Sequence, residues 1–560
     1  MLFIFQSITL PLLIVFFITG PTPIFARENW TLSPPASHRK TQFKTAGLEP
    51  TTGNPQPATR NPQPATRNLQ LATRNPKPPA PKKQTPENFE ESENLDEIIN
   101  GFQEDQKSGE NLPDILKGFD EEGPGESEDE ILNGFDKEDQ ISEAVTTDEE
   151  RSFGGISLDG HLKLGASCNI AHQKPQDGET DWRGLSRLRP ELQLELGAKF
   201  SRSWQALATA KGYYDLAYTI QGRDEFSDDV LDAYEKDIEL ADTYIQGRVT
   251  NSLDAKIGRQ IVVWGKSDNL RVVDVLNPLD LREPGITDIE DLRLPVTMAR
   301  LDYYIKTWRL TAIAIPEIRF NKNPPLGHDF FPGNQALPPE GIPQDGFENA
   351  EYAAAAGGVF RGWDIAFYWA DIYDDRAHAA LVPGGPPPQF ELAHARINML
   401  GSAFNIALGN WLLKAEWAWF DGLEFTNTAG QEFSRVDVMT GVEYSGFQEA
   451  TVSIETVWRH LNSFEDILKQ PPDEVRQNEF QWAARFTKDF MNQTLNLTLL
   501  ASTFGTKMQD GFFERIAAAY DLTDAVEISG GVVFYQSGDT EKFSRIGDND
   551  RVYFEMKYSF

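Results

Sequence analysis

The chain has 560 residues, with 52 Lys+Arg against 86 Asp+Glu, a formal net charge of −34 and a sequence pI near 4.6. A surplus of that sign argues against a nucleic-acid partner held by counterion release. Hydrophobic residues make up 40% and the mean hydropathy is −0.45, which excludes a bundle of transmembrane helices, since each needs ~20 nearly continuous apolar residues. A transmembrane β-barrel survives that test, because every second residue of its strands faces a polar lumen. The single cysteine, Cys168, leaves no internal disulfide framework and no Cys-rich metal centre, and no cofactor or metal is expected.

Charge divides the chain into three segments. Residues 1–86 carry ten Lys/Arg against Glu28 and Glu49, and residues 87–150 carry 24 acids against Lys107, Lys117 and Lys137. The first 26 residues are apolar, broken by Pro11 and Gly20, and end on Ala26 before Arg27-Glu28. That pattern predicts a cleaved secretory signal peptide, with a retained anchor as the alternative because no Lys or Arg precedes the apolar run. Residues 27–86 contain the heptad Asn54-Pro-Gln-Pro-Ala-Thr-Arg60, repeated at 61–67 and decaying at 68–74. Proline at that spacing blocks helix and ladder alike, so a disordered, extended linker is expected.

Residues 87–150 hold a second repeat, Asp96 to Phe102, Asp114 to Phe119 and Asp129 to Phe135, each with two aliphatics and a Gly-Phe in an acidic surround. Two readings stay open. One is acidic disorder kept soluble by its charge; the other is three linear docking sites, Phe102, Phe119 and Phe135, for a periplasmic or inner-membrane transport partner.

From about residue 151 the pattern changes to period two, the signature of strands with two different faces. Leu188, Leu192, Leu194 and Leu196 alternate with Arg187, Arg189, Glu191 and Glu195; Trp411, Leu413 and Trp417 alternate with Lys414 and Glu416; Phe480, Trp482 and Phe486 alternate with Gln481 and Arg485. Eighteen strands are predicted, between 155–167 and 549–560, with 16 as the fallback. The segments are about the ~9 to 11 residues that cross a bilayer when tilted.

Connections alternate long and short. Ser201-Arg202, Asn251-Ser252, Arg361-Gly362, Ser445–Phe447 and Met491-Asn492 read as tight turns, and 265–294, 317–349 and 372–389 as long loops. That asymmetry belongs to a transmembrane antiparallel β-barrel in a Gram-negative outer membrane, with periplasmic turns and external loops, and an even count leaves the N-terminal arm periplasmic. The last strand sets Val552, Phe554, Met556, Tyr558 and Phe560 on one face. A terminal amphipathic strand ending in an aromatic resembles the signal, here Tyr558 and Phe560, that barrels present to the outer-membrane assembly machinery.

One stretch carries a family likeness. Gly258-Arg259-Gln260-Ile-Val-Val-Trp264-Gly265-Lys266, running into Asp274-Val-Leu-Asn277-Pro278-Leu-Asp280-Leu-Arg282-Glu283 and Leu294-Pro295, resembles the hallmark of a domain-of-unknown-function family of proteobacterial outer-membrane barrels, distantly similar in build to alginate-export porins. The resemblance implies a fold and a location, and no substrate. Parity puts Arg259 on the lipid side, at ~2 to 4 kcal/mol near the midplane. A bulge or an equivalent twist at Gly258 is therefore predicted, turning Arg259 into the lumen beside Gln260.

The loop after Trp264 is rich in charge. If it folds into the mouth, its Arg271, Asp274, Asp280, Arg282, Glu283, Asp288 and Arg293 are candidates for a constriction, the alternative being an ordered external loop whose ion pairs are merely solvated; Arg187, Arg189, Glu191, Glu195, Lys414, Glu416 and Arg485 are candidates for the lumen wall. Both signs are present, which points to a channel for polar or charged small solutes, while the acidic balance of the barrel leans towards cations. The alternative is an envelope tether or export scaffold without an open pore. The six histidines after residue 150 lie at no triad spacing, so no enzyme is expected.

Overall fold

The computed structural model describes residues 155–560, apart from 177, 334, 383–388 and 541–542. The segments read as a signal peptide and a linker, the acidic repeats, and Phe102, Phe119 and Phe135 lie outside the described residues.

All eighteen strands form. They are β1 (Ile156–Asn169), β2 (Gly184–Lys199), β3 (Trp204–Tyr214), β4 (Lys236–Thr250), β5 (Leu253–Gln260), β6 (Val296–Ile305), β7 (Trp308–Ile315), β8 (Glu351–Phe360) and β9 (Trp363–Val382). Around the other half run β10 (Gln389–Leu408), β11 (Trp411–Leu423), β12 (Phe433–Phe447), β13 (Ala450–Leu461), β14 (Asn478–Phe490), β15 (Leu495–Phe504), β16 (Phe512–Thr523), β17 (Val526–Gln536) and β18 (Arg551–Ser559). Each pairs antiparallel with its sequence neighbours, and β1 closes the ring on β18 from His161↔Ser559 to Asn169↔Arg551. Closure leaves no edge strand, and that is the condition for a sheet in hydrocarbon, where an unpaired backbone group costs several kcal/mol.

The faces sort by parity. Leu158, Leu162 and Leu164 of β1, Trp411, Leu413 and Trp417 of β11, and Phe554 and Met556 of β18 point outward and stay exposed, while their neighbours Lys414 and Glu416 are buried inside. A belt of large exposed apolar side chains around a closed ring is a surface for lipid. No helix among the described residues is long and apolar enough to cross a membrane. The membrane is crossed by strands.

Three boundaries differ from the sequence reading. The segment read as a loop at 372–389 continues the β9–β10 ladder to Val382↔Gln389, past an irregularity between His394 and Arg396. Asp371, Asp374 and Asp375 had ended the apolar alternation there, but a hairpin rising beyond the bilayer needs no apolar face. The turn read at Ser445–Phe447 falls instead at Gln448-Glu449, because β12 runs on to pair Phe447 with Ala450. And β5 stops at Gln260, where the chain leaves the wall.

The long connections carry short helices and their own apolar contacts. Between β3 and β4, α1 (Leu216–Gln221) is capped by Asp215 and α2 (Asp228–Tyr234) by Ser227. Their Tyr218, Val230, Leu231 and Tyr234 gather around Phe226 and Trp182. The main core lies inside the ring: Met298, Ile313, Ile315, Ala370, Ile397, Met399, Ala418, Phe420, Met439 and Val457, all inward residues of β6 to β13, enclose Val262, Trp264, Leu270, Val273 and Leu276 of the connection 261–295.

Candidate functional site

The connection 261–295 is built into the lumen from its root. Asn277 is fully buried; its Oδ1 accepts from Val262 N at 2.8 Å, and its Nδ2 donates to Gln260 O at 3.2 Å and Leu294 O at 2.9 Å, so one amide ties both legs together. Asp274 does the same with charge. It accepts from Trp264 N at 3.3 Å and from Arg293 Nε at 2.9 Å, with Arg271 Nε at 3.2 Å. Gln260, Arg271 and Asp274 therefore hold the loop's own shape. They do not line the void that lies below the loop.

Two wall carboxylates then grip the loop's outer turn. Glu416 on β11 accepts from Lys266 N at 2.5 Å and Ser267 N at 2.8 Å. Glu455 on β13 accepts from Ser267 Oγ at 2.8 Å, Asp268 N at 2.8 Å and Asn269 N at 2.9 Å. Both are almost fully buried, at 3% and 1% exposed, and the main-chain donors are what make a buried carboxylate tolerable there. Gly265 adopts φ +99°, and a Cβ at that position would meet Glu416 Oε1 at 2.5 Å. The loop approaches the wall closely only because glycine stands there.

The second leg reaches the far side of the ring through charge. Glu283 meets Arg187 Nη1 at 3.1 Å and Arg189 Nη2 at 3.2 Å, both on β2. Burial would raise this carboxyl, but Arg189 and Arg187 outweigh it and hold it well below the ordinary carboxylate range. Arg515 of β16 donates to Ile286 O at 2.8 Å and pairs with Asp288, which also faces Arg485 of β14 at 3.4 Å. Arg282 folds back on Asp280 at 2.6 Å. Starting from β5, the loop thus touches β11, β13, β2 and β16, which is a full crossing of the lumen.

Below the loop, towards the short turns, lies a void of about 2010 Å³ whose border includes Asn251 and Thr307 of those turns. Fifteen Lys/Arg and fifteen Asp/Glu edge it, so its wall carries no excess of either sign. Of the residues singled out from the sequence, Arg187, Arg189, Glu191, Glu195, Asp280, Arg282, Glu283, Asp288, Arg293, Lys414 and Arg485 border this void; Gln260, Arg271, Asp274 and Glu416 stand behind it, in the loop's anchorage. Arg259 lies outside the border too. It pairs with Glu317 at 2.9 Å and Glu239 at 3.5 Å. Of the bulge or equivalent twist predicted at Gly258, the bulge is absent, since the β4–β5 register runs through it unbroken; Gly258 instead takes φ +132°, where a Cβ would strike Thr243 O at 2.3 Å.

A second connection, 316–350, also crosses. Its Asp329 accepts from Arg551 Nη2 at 2.9 Å and Asn169 Nδ2 at 3.2 Å, while His328 stacks on Tyr234 with centroids 3.9 Å apart and planes within 4°. Burial pushes His328 down to about 4. Glu455, Asp329 and Arg551 escaped the sequence reading. An acid isolated among Val452, Ile454 and Val457 was a usable sign for Glu455; Asp329 and Arg551 are 222 residues apart, and no local pattern joins them.

Among the described residues, no group of three or more His, Cys, Asp or Glu is placed to hold a metal ion. Residues 138–560 match the family described as "Protein of unknown function (DUF1302)". No curated protein matches the sequence. Among solved structures, the chain is similar to a BenF-like porin from Pseudomonas fluorescens Pf-5, at 11% identity over 73% of this chain and 99% of that one, TM-score 0.46. It is also similar to Pseudomonas aeruginosa OpdK with vanillate (10%, 72% and 98%, TM-score 0.43) and to Acinetobacter baumannii OccAB3 (9%, 73% and 100%, TM-score 0.45).

Proposed function

We propose, for a chain that belongs to the DUF1302 family and takes no activity from that membership, that it is an outer-membrane channel for small polar or charged solutes, with its N-terminal segment on the periplasmic side. The observation that carries this reading is the void of about 2010 Å³ inside a closed lipid-facing ring, edged by charges of both signs. A wall of that kind replaces hydration for ions and zwitterions without trapping one sign. The cation preference suggested by the barrel's overall acidity finds no support at the void; acids such as Asp224, Glu225, Asp228 and Asp229 lie exposed on an outer loop instead. The permeability ratio of K⁺ to Cl⁻ is expected near one.

Planar-bilayer recording tests this. Refolded protein is expected to show stepwise conductance that grows when residues 265–294 are replaced by a short linker. No steps from either protein would favour the tether or scaffold, for which the dry packing of 262–276 against β6–β13 already speaks. In that case Phe102, Phe119 and Phe135 become the residues to test, by pull-down with and without their joint replacement by alanine.

A further inference from the structure

Arg187 and Arg189 are two residues apart on β2 and therefore share its inward face. Their guanidiniums take opposite oxygens of one carboxylate, Arg187 on Glu283 Oε2 and Arg189 on Glu283 Oε1, at 3.1 and 3.2 Å. Each also owns another carboxylate partner, Glu555 at 2.9 Å for Arg187 and Asp215 at 3.2 Å for Arg189. Both cations thus stay paired if Glu283 leaves. Glu283 itself borders the void and keeps 19% of its side chain exposed. The backbone on either side of it is pinned independently, Arg282 O by the Tyr234 hydroxyl at 2.9 Å and Pro284 O by the Tyr535 hydroxyl at 2.6 Å. A swing of one side chain therefore empties the seat without moving the loop.

We infer that Arg187 and Arg189 form a carboxylate-recognition seat in the wall of the passage, that Glu283 is its resident internal occupant, and that small carboxylate solutes take the seat in exchange. This rests on the passage proposed above and names a solute class for it. Two planar guanidiniums set side by side favour a flat two-oxygen anion over a spherical one. A tethered competitor at an effective concentration on the order of millimolar keeps the external ligand weak. Weak binding suits a passage, where a solute has to leave as readily as it enters.

Sodium propionate carries the same ethyl carboxylate as a glutamate side chain and is the probe. Detergent-folded full-length protein is titrated by calorimetry with propionate, with neutral propionamide and with sodium chloride. Glu283→Gln is expected to bind propionate at least tenfold more tightly than the native chain, Arg189→Gln in that background to abolish the gain, and propionamide to give no binding. Glu283→Asp, which withdraws the competitor by one methylene, is expected to fall between and serves the comparison if the Gln variant does not fold. Equal affinity in native and Glu283 variants, or chloride matching propionate, overturns the seat. Conductance of the same preparation separates the two proposals: steps without propionate binding remove the seat and keep the channel, and binding without steps does the reverse.

Discussion

Inside the ring, the wall from β6 to β13 and the wall running from β16 through β18 to β5 hold the same loop by opposite means. The first packs it in oil: Val273 and Met399 are fully buried and Trp264 lies against Tyr368 at 4.8 Å, with Glu416 and Glu455 supplying acceptors for the main-chain donors that packing would strand. The second meets it with ion pairs at the edge of a void, Glu283 on Arg187 and Arg189, Asp288 on Arg515. Apolar contact excludes water and fixes position. Of these pairs the wall cations Arg187 and Arg515 are buried, while Glu283 and Asp288 keep 19% and 32% of their side chains exposed, so the loop's acids are the partners placed to exchange with solutes. The dry side anchors the loop and the wet side leaves room for a solute.

The largest test of that contrast puts charge on the dry side. Val273→Asp places a carboxylate at a fully buried position beside Glu416 and is expected to expel the loop, at a cost of about 5 kcal/mol. Trypsin should then cut at Lys266 and Arg271 in the folded barrel; a resistant loop would mean that the packing is not what holds it.

Acid probes the second crossing. The unfolded 316–350 segment takes up a proton at His328 near 6.5, whereas the docked ring takes none until about 4. Its contribution is therefore complete above pH 6.5 and falls as the pH drops towards 4, by about 3 kcal/mol. Hydrogen exchange at 328–331, corrected for the intrinsic pH dependence, should speed up over that interval and stay flat in His328→Gln; a flat native profile would assign the dock to other groups.

A smaller effect is expected where the dry side uses hydrogen bonds. Glu455→Gln keeps the shape but sets an amide donor against the donors of Ser267, Asp268 and Asn269, costing about 2 kcal/mol. Exchange at 267–269 should rise roughly thirtyfold, with the amides of Ile286 and Thr287 on the wet side unchanged. Simultaneous loosening of both legs would show that the two sides are one unit. The smallest effect belongs to the exposed pair Arg248–Asp254, 3.8 Å apart near a short turn. Arg248→Gln should shift stability by less than about 0.5 kcal/mol in a denaturant titration.

Strand parity was legible because a backbone with period two leaves no other choice for its side chains. It correctly sided Leu413 and Trp417 against Lys414 and Glu416, and Arg187 and Arg189 against Leu188 and Leu192. The same parity could not separate Lys414, which borders the void, from Glu416, which is sealed behind the loop. Facing inward is a property of one strand; being covered depends on a chain segment that arrives from far away.

What the amino-acid order determined by itself is the ring: eighteen two-faced segments with alternating short and long connections, because lipid outside and polar groups inside impose that repeat on every strand. Which connection turns inward, which charges it meets and where open space remains were decided only in three dimensions. Asn277, Glu455 and Arg187 act on partners that no spacing along the chain predicts, and loop placement follows from the summed packing of many such distant pairs.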